Sequence, residues 1–278
     1  MNIVVTDVTF RYPNGVQALS GVNLAIAGGE AVAVIGENGA GKTTLARHLN
    51  GLLRPQQGRV RIGDWDTREH TVAQLAHRVG YVFQNPDDQL FERTVRRELA
   101  FGPRNLGRDE AAIEAAVAQA LARLDLEAVA DSHPYDLSPA QRRLVALAAV
   151  LAMETPIVVL DEPTTGQDAA GTALLGRVIA DLKAAGRTVI TISHDIDFVA
   201  EHFPRLIVMA AGRILADGPT EWVLAQTGLL AQAQVDPPQL VRLAVALGLP
   251  GVPTTVDAFL DLWVRTRQRD GAEWPGGV

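Results

Sequence analysis

The sequence predicts an α/β fold: a mostly parallel core sheet, an N-terminal antiparallel β part, an inserted helical subdomain and a small helical C-terminal extension. Three observations predict it. Residues 31–35, 79–83, 157–160 and 189–192 are continuous, β-rich apolar runs, the pattern of strands buried on both faces of a parallel sheet. Each stops at residues able to do chemistry: the glycine-rich stretch from Gly36, then Gln84, then Asp161 with Glu162, then Ser193 with His194. The first run leads directly into GENGAGKTT at 36–44, in which Gly36, Gly41, Lys42 and Thr43 fit the phosphate-loop pattern G-x-x-x-x-G-K-[ST] between a strand and a helix.

Taken in order, residues 1–30 read as short strands with turn signals at Pro13-Asn14-Gly15 and Gly28-Gly29. The helix after the phosphate loop starts near Gly41. Residues 88–153 read as helical: Ile113, Val117, Leu121 and Leu124 share one face, as do Leu144, Leu147, Ala148 and Leu151, and no buried-strand run interrupts them. A helix over 171–184 turns Leu174, Leu175, Val178, Ile179 and Leu182 inward and ends near Gly186. Strands at 206–209 and 213–216 flank Ala211-Gly212. Past about residue 220 the composition changes. Pro237-Pro238 opens a helix carrying Leu240, Leu243, Ala244 and Leu247, ended by Gly248; Thr255 precedes another with Val256, Phe259, Leu260 and Trp263. The expected division is a main domain over 1–220 with its helical insertion at about 88–153, an extension over 221–268 and a loose tail over 269–278.

Bulk properties narrow the function classes. Lys and Arg number 25 against 32 Asp and Glu, a net charge of −7, which argues against broad electrostatic binding of nucleic acid. There is no cysteine, hence no disulfide framework and no thiol chemistry; a reducing compartment fits. Met1 leads straight into a strand-like segment, without room for a signal peptide. The longest apolar stretch, 144–153, is roughly half a bilayer span.

The phosphate loop points to a nucleoside triphosphate with magnesium. Its glycines let backbone N–H groups turn onto phosphate oxygens, the helix contributes about half a positive charge at its N-terminus, and Lys42 adds a full one. Open α/β sheets bind ligands at the carboxyl ends of their strands, so Lys42, Gln84, Asp161, Glu162 and His194 are expected at one edge. Asp161 suits holding Mg²⁺, and Thr43 offers it a hydroxyl. Glu162 is placed to orient or deprotonate water. His194 suits donation to the terminal phosphate, and Gln84 suits sensing the metal or the water. Tyr12 is either a core aromatic or a stacking partner for a base. His48, His70, His77, His133 and His202 show no metal spacing and read as structural. Ser138 is a good N-cap, Pro139 is favoured at the first helical position, and Gln141 completes a capping box.

Taken together these stretches resemble the nucleotide-binding subunit of an ABC transporter, over about residues 2–220. GENGAGKTT is similar to the Walker A loop, which implies Gly36, Asn38, Gly39, Ala40, Gly41, Lys42, Thr43 and Thr44 as ATP contacts. IVVLDEP at 157–163 resembles Walker B with its catalytic glutamate. Gln84 matches the Q-loop, TISHD at 191–195 the switch histidine, and Tyr12 the adenine-stacking aromatic. PTTGQD at 163–168 resembles the D-loop, ending at Asp168, and LSPAQRRLVALA at 137–148 falls on the LSGGQ signature and its helix. Within the family, residues 82–107 resemble the ATPases of energy-coupling-factor (ECF) transporters, importers of vitamins and transition-metal ions, in which a C-terminal helical extension helps the ATPases pair.

The resemblance implies a P-loop NTPase (ABC ATPase) fold and hydrolysis of ATP with Mg²⁺ coupled to transport. It implies a dimer with two ATP molecules between the subunits, in which Ser138, Ala140, Gln141 and Asp168 complete the partner's site in trans. The second ATPase is a paralogue or a second copy. An integral membrane coupling subunit and a membrane-embedded substrate-binding subunit complete the assembly, the ATPase lying on the cytoplasmic face of the membrane. The substrate is chosen elsewhere. One departure stands out: the signature glycines are replaced by Pro139 and Ala140. Proline has no N–H to give, and a hydrogen bond to a charged group is worth roughly 1.5–3 kcal/mol. A complete Walker half and a weakened signature half imply an unequal pair, with a homodimer of two poor sites as the competing arrangement. The rival functions are an ABC ATPase of a nucleic-acid or protein machine, which usually shows tandem cassettes, long coiled coils or basic linkers; a small-molecule kinase, which has no use for LSPAQ, PTTGQD and TISHD together; and a regulator without turnover, against which Glu162 and His194 both count.

Overall fold

The apolar runs assemble as two sheets. The computed structural model describes residues 1–269; the tail expected over 269–278 lies outside the described residues, apart from the backbone of Arg269. In the N-terminal sheet, β1 (Ile3–Arg11) pairs antiparallel with β2 (Gln17–Ile26) and with β4 (Gln57–Ile62), which pairs with the short β5 (Trp65–Asp66). β1 and β2 are longer than the short strands expected. Along β1 the inward residues are Ile3, Val5, Val8 and Phe10, so the alternation changes parity between Val5 and Val8. Asp7, at φ 49°, sits inside a register shift there. A bulge of this kind absorbs one residue and keeps the strand intact, which simple alternation cannot reveal.

The second sheet has the order β10-β9-β3-β8-β7-β6. Its parallel members are β3 (Ala31–Ile35), β6 (Val79–Val82), β7 (Ile157–Asp161), β8 (Thr188–Ile192) and β9 (Arg205–Ala210); β10 (Arg213–Pro219) closes one edge antiparallel to β9. Every residue of β3, β6, β7 and β8 is buried, as expected for strands covered on both faces. Their side chains divide by parity. Val32 and Val34 face a core shared with the N-terminal sheet and α1 (Lys42–Leu49), while Ala33 and Ile35 face the helices on the other side. Parallel pairing puts the carboxyl ends of β3, β6, β7 and β8 at one edge.

A single turn, α2 (Val72–Leu75), precedes β6. Between β6 and β7 run α3 (Val95–Asn105), α4 (Glu110–Arg123) and α5 (Pro139–Ala152), with N-caps Thr94, Asp109 and Ser138. Among the described residues none from 88 to 153 is in a strand. After β7 come α6 (Ala169–Ala184) and, after β8, α7 (Ile196–His202). The described residues end in α8 (Thr220–Leu224), α9 (Thr227–Gln232), α10 (Gln239–Ala246) and α11 (Val256–Arg269). Leu230 and Ala233 anchor this end in the main core. α10 buries Val241 and Ala244, whereas Leu243, Val245 and Leu247 remain exposed, as do Val256, Leu260 and Val264 on α11. Among the described residues no helix is long and apolar enough to cross a membrane.

Candidate active site

The phosphate loop owes its shape to glycine at two close approaches. Gly36 has φ 144° and Gly41 has φ 99°; a Cβ at Gly36 would collide with the Met209 carbonyl oxygen, and one at Gly41 with that of Ala18. Both conformations and both contacts exclude a side chain. Gly41 is the N-cap of α1 and, lacking a side chain, supplies no side-chain cap to its first turn. Asn38 and Gly39 form its exposed tip, and Ala40 is buried, its N–H donated to the Glu37 carbonyl at 3.2 Å. Lys42 is buried, and its Nζ donates to the carbonyls of Gly36 (2.7 Å) and Glu37 (2.9 Å). Burial pulls its pKa down, opposed by the charges of Glu162, Asp161 and Glu37. The Lys42 ammonium thus lies against the loop's own carbonyls, a cation placed where the phosphate-loop pattern expects one.

Asp161 ends β7 and is 2 % exposed. Its Oδ2 accepts from the Tyr81 hydroxyl at 2.7 Å, and its Oδ1 accepts from Thr43 Oγ1 at 3.3 Å. Burial pushes its pKa up; the Tyr81 and Thr43 hydrogen bonds, then Arg47 and Lys42, pull the other way. Tyr81, 7 % exposed, is held far above the usual phenol range by burial and by the Asp161 charge. Two hard oxygens, Thr43 Oγ1 and Asp161 Oδ1, face each other beside the ammonium. That donor set fits magnesium, which takes few protein ligands and completes its shell with water and phosphate oxygens.

Glu162 follows β7 with φ 54°, a left-handed conformation that costs a non-glycine residue of order 1 kcal/mol or more. Its N–H is fixed on the Ile192 carbonyl at 2.8 Å. The strained turn brings its carboxylate to β8: Oε2 accepts from the His194 N–H at 3.2 Å and lies 2.7 Å from His194 Nδ1. A carboxylate only accepts, so Nδ1 carries the proton and Nε2 is the nitrogen left for a further partner. The His194 side chain is 67 % exposed and Glu162 almost wholly buried. Gln84 lies exposed just beyond β6. The strand stops one residue short of the expected end because the Phe83 N–H turns to Gln89 Oε1 at 3.2 Å.

A cavity of about 660 Å³ gathers Gly36, Glu37, Asn38, Gln84, Glu162 and His194. A smaller pocket beside it joins Gln84 to Asp161 and Glu162. Tyr12 packs edge-on to Phe10, and its hydroxyl lies 3.0 Å from Thr44 Oγ1, on α1 behind the loop. Ser138, Ala140, Gln141 and Asp168 do not line that cavity. Ser138 and Gln141 form a reciprocal capping box: Ser138 Oγ accepts from the Gln141 N–H at 3.2 Å, and Gln141 Oε1 accepts from the Ser138 N–H at 3.2 Å. Asp168 caps α6 through the Gly171 N–H at 2.8 Å.

Sequence reading missed several contributors. Tyr81 sits in a run that reads only as buried strand. Gln89, which holds the Phe83 N–H and donates to the Ala146 carbonyl at 2.7 Å, looks like any loop amide. Gln167 donates to the Ala140 carbonyl at 3.1 Å and so joins the segment after β7 to the start of α5. None of these carries a local signal, because each acts across contacts distant in sequence.

A family model described as ABC transporter matches residues 19–165. The cobalt import ATP-binding protein CbiO of Rhodobacter capsulatus is 42% identical over 240 residues, covering 86% of this chain and 86% of that protein. The energy-coupling factor transporter ATP-binding protein EcfA of Methanothermobacter thermautotrophicus is 39% identical over 256 residues, covering 91% of this chain and 82% of its own length. A longer relative in Methanosarcina acetivorans, a putative ABC transporter ATP-binding protein, is matched over 41% of its length. Among solved structures, cbiO1 of Clostridium perfringens, part of the ABC transporter complex cbiONQ, superposes with a TM-score of 0.74 at 32% identity, over 89% of this chain and 98% of that one. The strand-edge site, the family match and these relatives agree: the chain belongs to the ATP-binding subunits of ABC transporters, in the neighbourhood of the ECF and CbiO ATPases.

Proposed function

We propose that this chain hydrolyses ATP to power an ECF-type importer of a vitamin or transition-metal ion, closing on a second ATPase subunit when ATP binds and releasing it after hydrolysis. The observation that carries the reading is that Glu162 and His194 line one cavity with Gly36 of the phosphate loop, while the buried Lys42 feels the charges of Glu162 and Asp161.

Each residue has a task that follows from its chemistry. Amides of the loop 36–44 other than that of Glu37, which the Ala233 carbonyl holds, would take phosphate oxygens, and the Lys42 ammonium would take them in place of its loop carbonyls. Thr43, Asp161 and Gln84 would hold magnesium, which when bound would neutralise charge on the phosphates. Glu162 would orient a water for attack, and Nε2 of His194, left over by the Glu162 contact, would be the nitrogen offered to the terminal phosphate. Tyr12 would offer its ring to the base. Ser138, Ala140, Gln141 and Asp168 serve the partner's ATP. With Pro139 lacking an N–H and Gln141 tied to Ser138, that second site is the weaker, which supports an unequal pair.

Residues 1–220 act as the motor, and 221–268 as a pairing element, whose exposed Leu243, Leu247 and Leu260 suit an apolar interface. Leu52, Val72, Phe83, Phe91, Phe101 and Met153 line a groove of about 240 Å³ between the α3–α5 insertion and the strand leading to Gln84. It suits a helix of the membrane coupling subunit, with the motor lying on the cytoplasmic face of the membrane.

Glu162→Gln tests the reading. The variant is expected to form an ATP-dependent dimer that does not hydrolyse, seen by size-exclusion chromatography and phosphate release. A variant that stays monomeric with ATP, or hydrolyses normally, contradicts the role. In the same assay, fast turnover by the unmodified chain alone defeats the unequal pair; acceleration on mixing with a partner carrying LSGGQ supports it.

A further inference from the structure

We propose that the C-terminal extension is a positioning latch on the nucleotide site, in which residues 233–239 tie the phosphate loop to the helix that follows His194. The proposal rests on the ATP-site reading of the cavity and deepens it.

Two contacts at opposite ends of one short stretch define the latch. At its start, the main-chain N–H of Glu37, next to Gly36 in the phosphate loop, donates to the carbonyl of Ala233 at 3.1 Å. At its end, the N–H of Gln239, the first residue of α10, donates to Asp197 Oδ1 at 3.0 Å. Asp197 stands three residues beyond His194, in the first turn of α7. Between these contacts, Gln234, Val235 and Asp236 line the same cavity as Gly36, Glu37, Asn38, Glu162 and His194.

The stretch is held in a defined shape. Ala233 is fully buried, and its N–H is bonded back to the α9 carbonyls of Leu229 and Leu230. Gln234 takes φ 53°, reversing the chain, and the Val235 N–H returns to the Leu230 carbonyl at 2.9 Å. A left-handed glutamine persists only where its surroundings over-determine it. The Ala233 carbonyl is thereby aimed at Glu37 by the core rather than by the loop. The extension therefore orients one amide of the phosphate loop and caps onto the segment carrying the histidine. Displacing it disturbs both sides of the cavity, and by linkage nucleotide binding acts back on the extension to the same degree.

Asp197 and the Ala233 backbone are positioning groups, and the full-length chain tests them. Hydrogen exchange at the Glu37 amide is measured without nucleotide in the wild type, in Asp197→Ala, which removes the acceptor, and in Asp197→Asn, which keeps a side-chain oxygen. Asp197→Ala is expected to speed exchange at Glu37 about fivefold, the worth of one capping contact. It is expected to raise KM for ATP by a similar factor and to change kcat less, with Asp197→Asn restoring both. Glu37→Pro removes the N–H itself, so Asp197→Ala should add little to its KM effect. An unchanged exchange rate at Glu37 in Asp197→Ala, failure of the Asn variant to restore it, or full additivity of the two KM effects overturns the latch. The exchange measurement needs no ATP: a wild type that failed to hydrolyse ATP would defeat the functional reading and leave the exchange result standing.

Discussion

Replacing Tyr81 with Phe removes one oxygen and nothing else from the ring's packing. In the folded chain that oxygen donates to Asp161 Oδ2 at 2.7 Å, between two side chains with almost no solvent access. A hydrogen bond to a charged group is worth roughly 1.5–3 kcal/mol, about 10- to 150-fold at ~1.4 kcal/mol per factor of ten. Asp161 keeps the longer contact to Thr43, at 3.3 Å, and a bound cation would offset part of the loss, so the lower end applies. The expected result is a divalent-metal requirement about tenfold higher, with less effect on ATP binding measured without metal. Two readouts are needed: ATPase rate against Mg²⁺ concentration, and Mn²⁺ binding in the presence of nucleotide by electron paramagnetic resonance. If metal affinity is unchanged while the melting temperature falls, Tyr81 is only a structural residue and the reasoning is refuted.

Three further outcomes are expected. Gly36→Ala drives a Cβ into the Met209 carbonyl from a φ that L-residues avoid; it should cost more than about 2 kcal/mol in chemical denaturation and abolish nucleotide binding by fluorescent-analogue titration. Leu243→Asp alters a 45 % exposed side chain, so the subunit should keep its stability within about 0.5 kcal/mol while its pairing, followed by analytical ultracentrifugation, weakens; unchanged pairing removes the extension from the interface. His48 is fully buried, its Nδ1 on the Thr44 carbonyl at 2.7 Å, and burial lowers its pKa from 6.5. The unfolded chain then takes up a proton below that value before the folded one does, so stability contributed above it is lost as pH falls. His48→Gln should flatten the melting-temperature profile between about pH 5 and 7; an equally steep profile contradicts the assignment.

The parts of the fold legible in sequence are those whose information is local. Four unbroken apolar runs, all buried on both faces in the sheet, announced a parallel core. The glycine spacing of the phosphate loop announced its ligand class, because only glycine can take the turns at Gly36 and Gly41. The helix over 171–184 matched its observed span to within two residues. Less legible were β4 and β5, where Val60 and Ile62 alternate with Arg59 and Arg61 and the paired edge is short. β1 reads as fragments because its bulge at Asp7 breaks the alternation.

The sequence by itself determined which residues have the chemistry and where they stand: a cation at Lys42 at the start of the helix after the phosphate loop, carboxylates at Asp161 and Glu162 and an imidazole at His194 at strand ends. Residue type and spacing along one strand or loop suffice for that. Only the tertiary structure decided how those groups restrain one another. Glu162 grips His194 across two strands, Tyr81 aims Asp161 from a third, and Ala233 holds Glu37 from the far end of the chain. Such contacts depend on sheet order and backbone direction, and a carbonyl oxygen like that of Ala233 has no residue identity for a sequence to display.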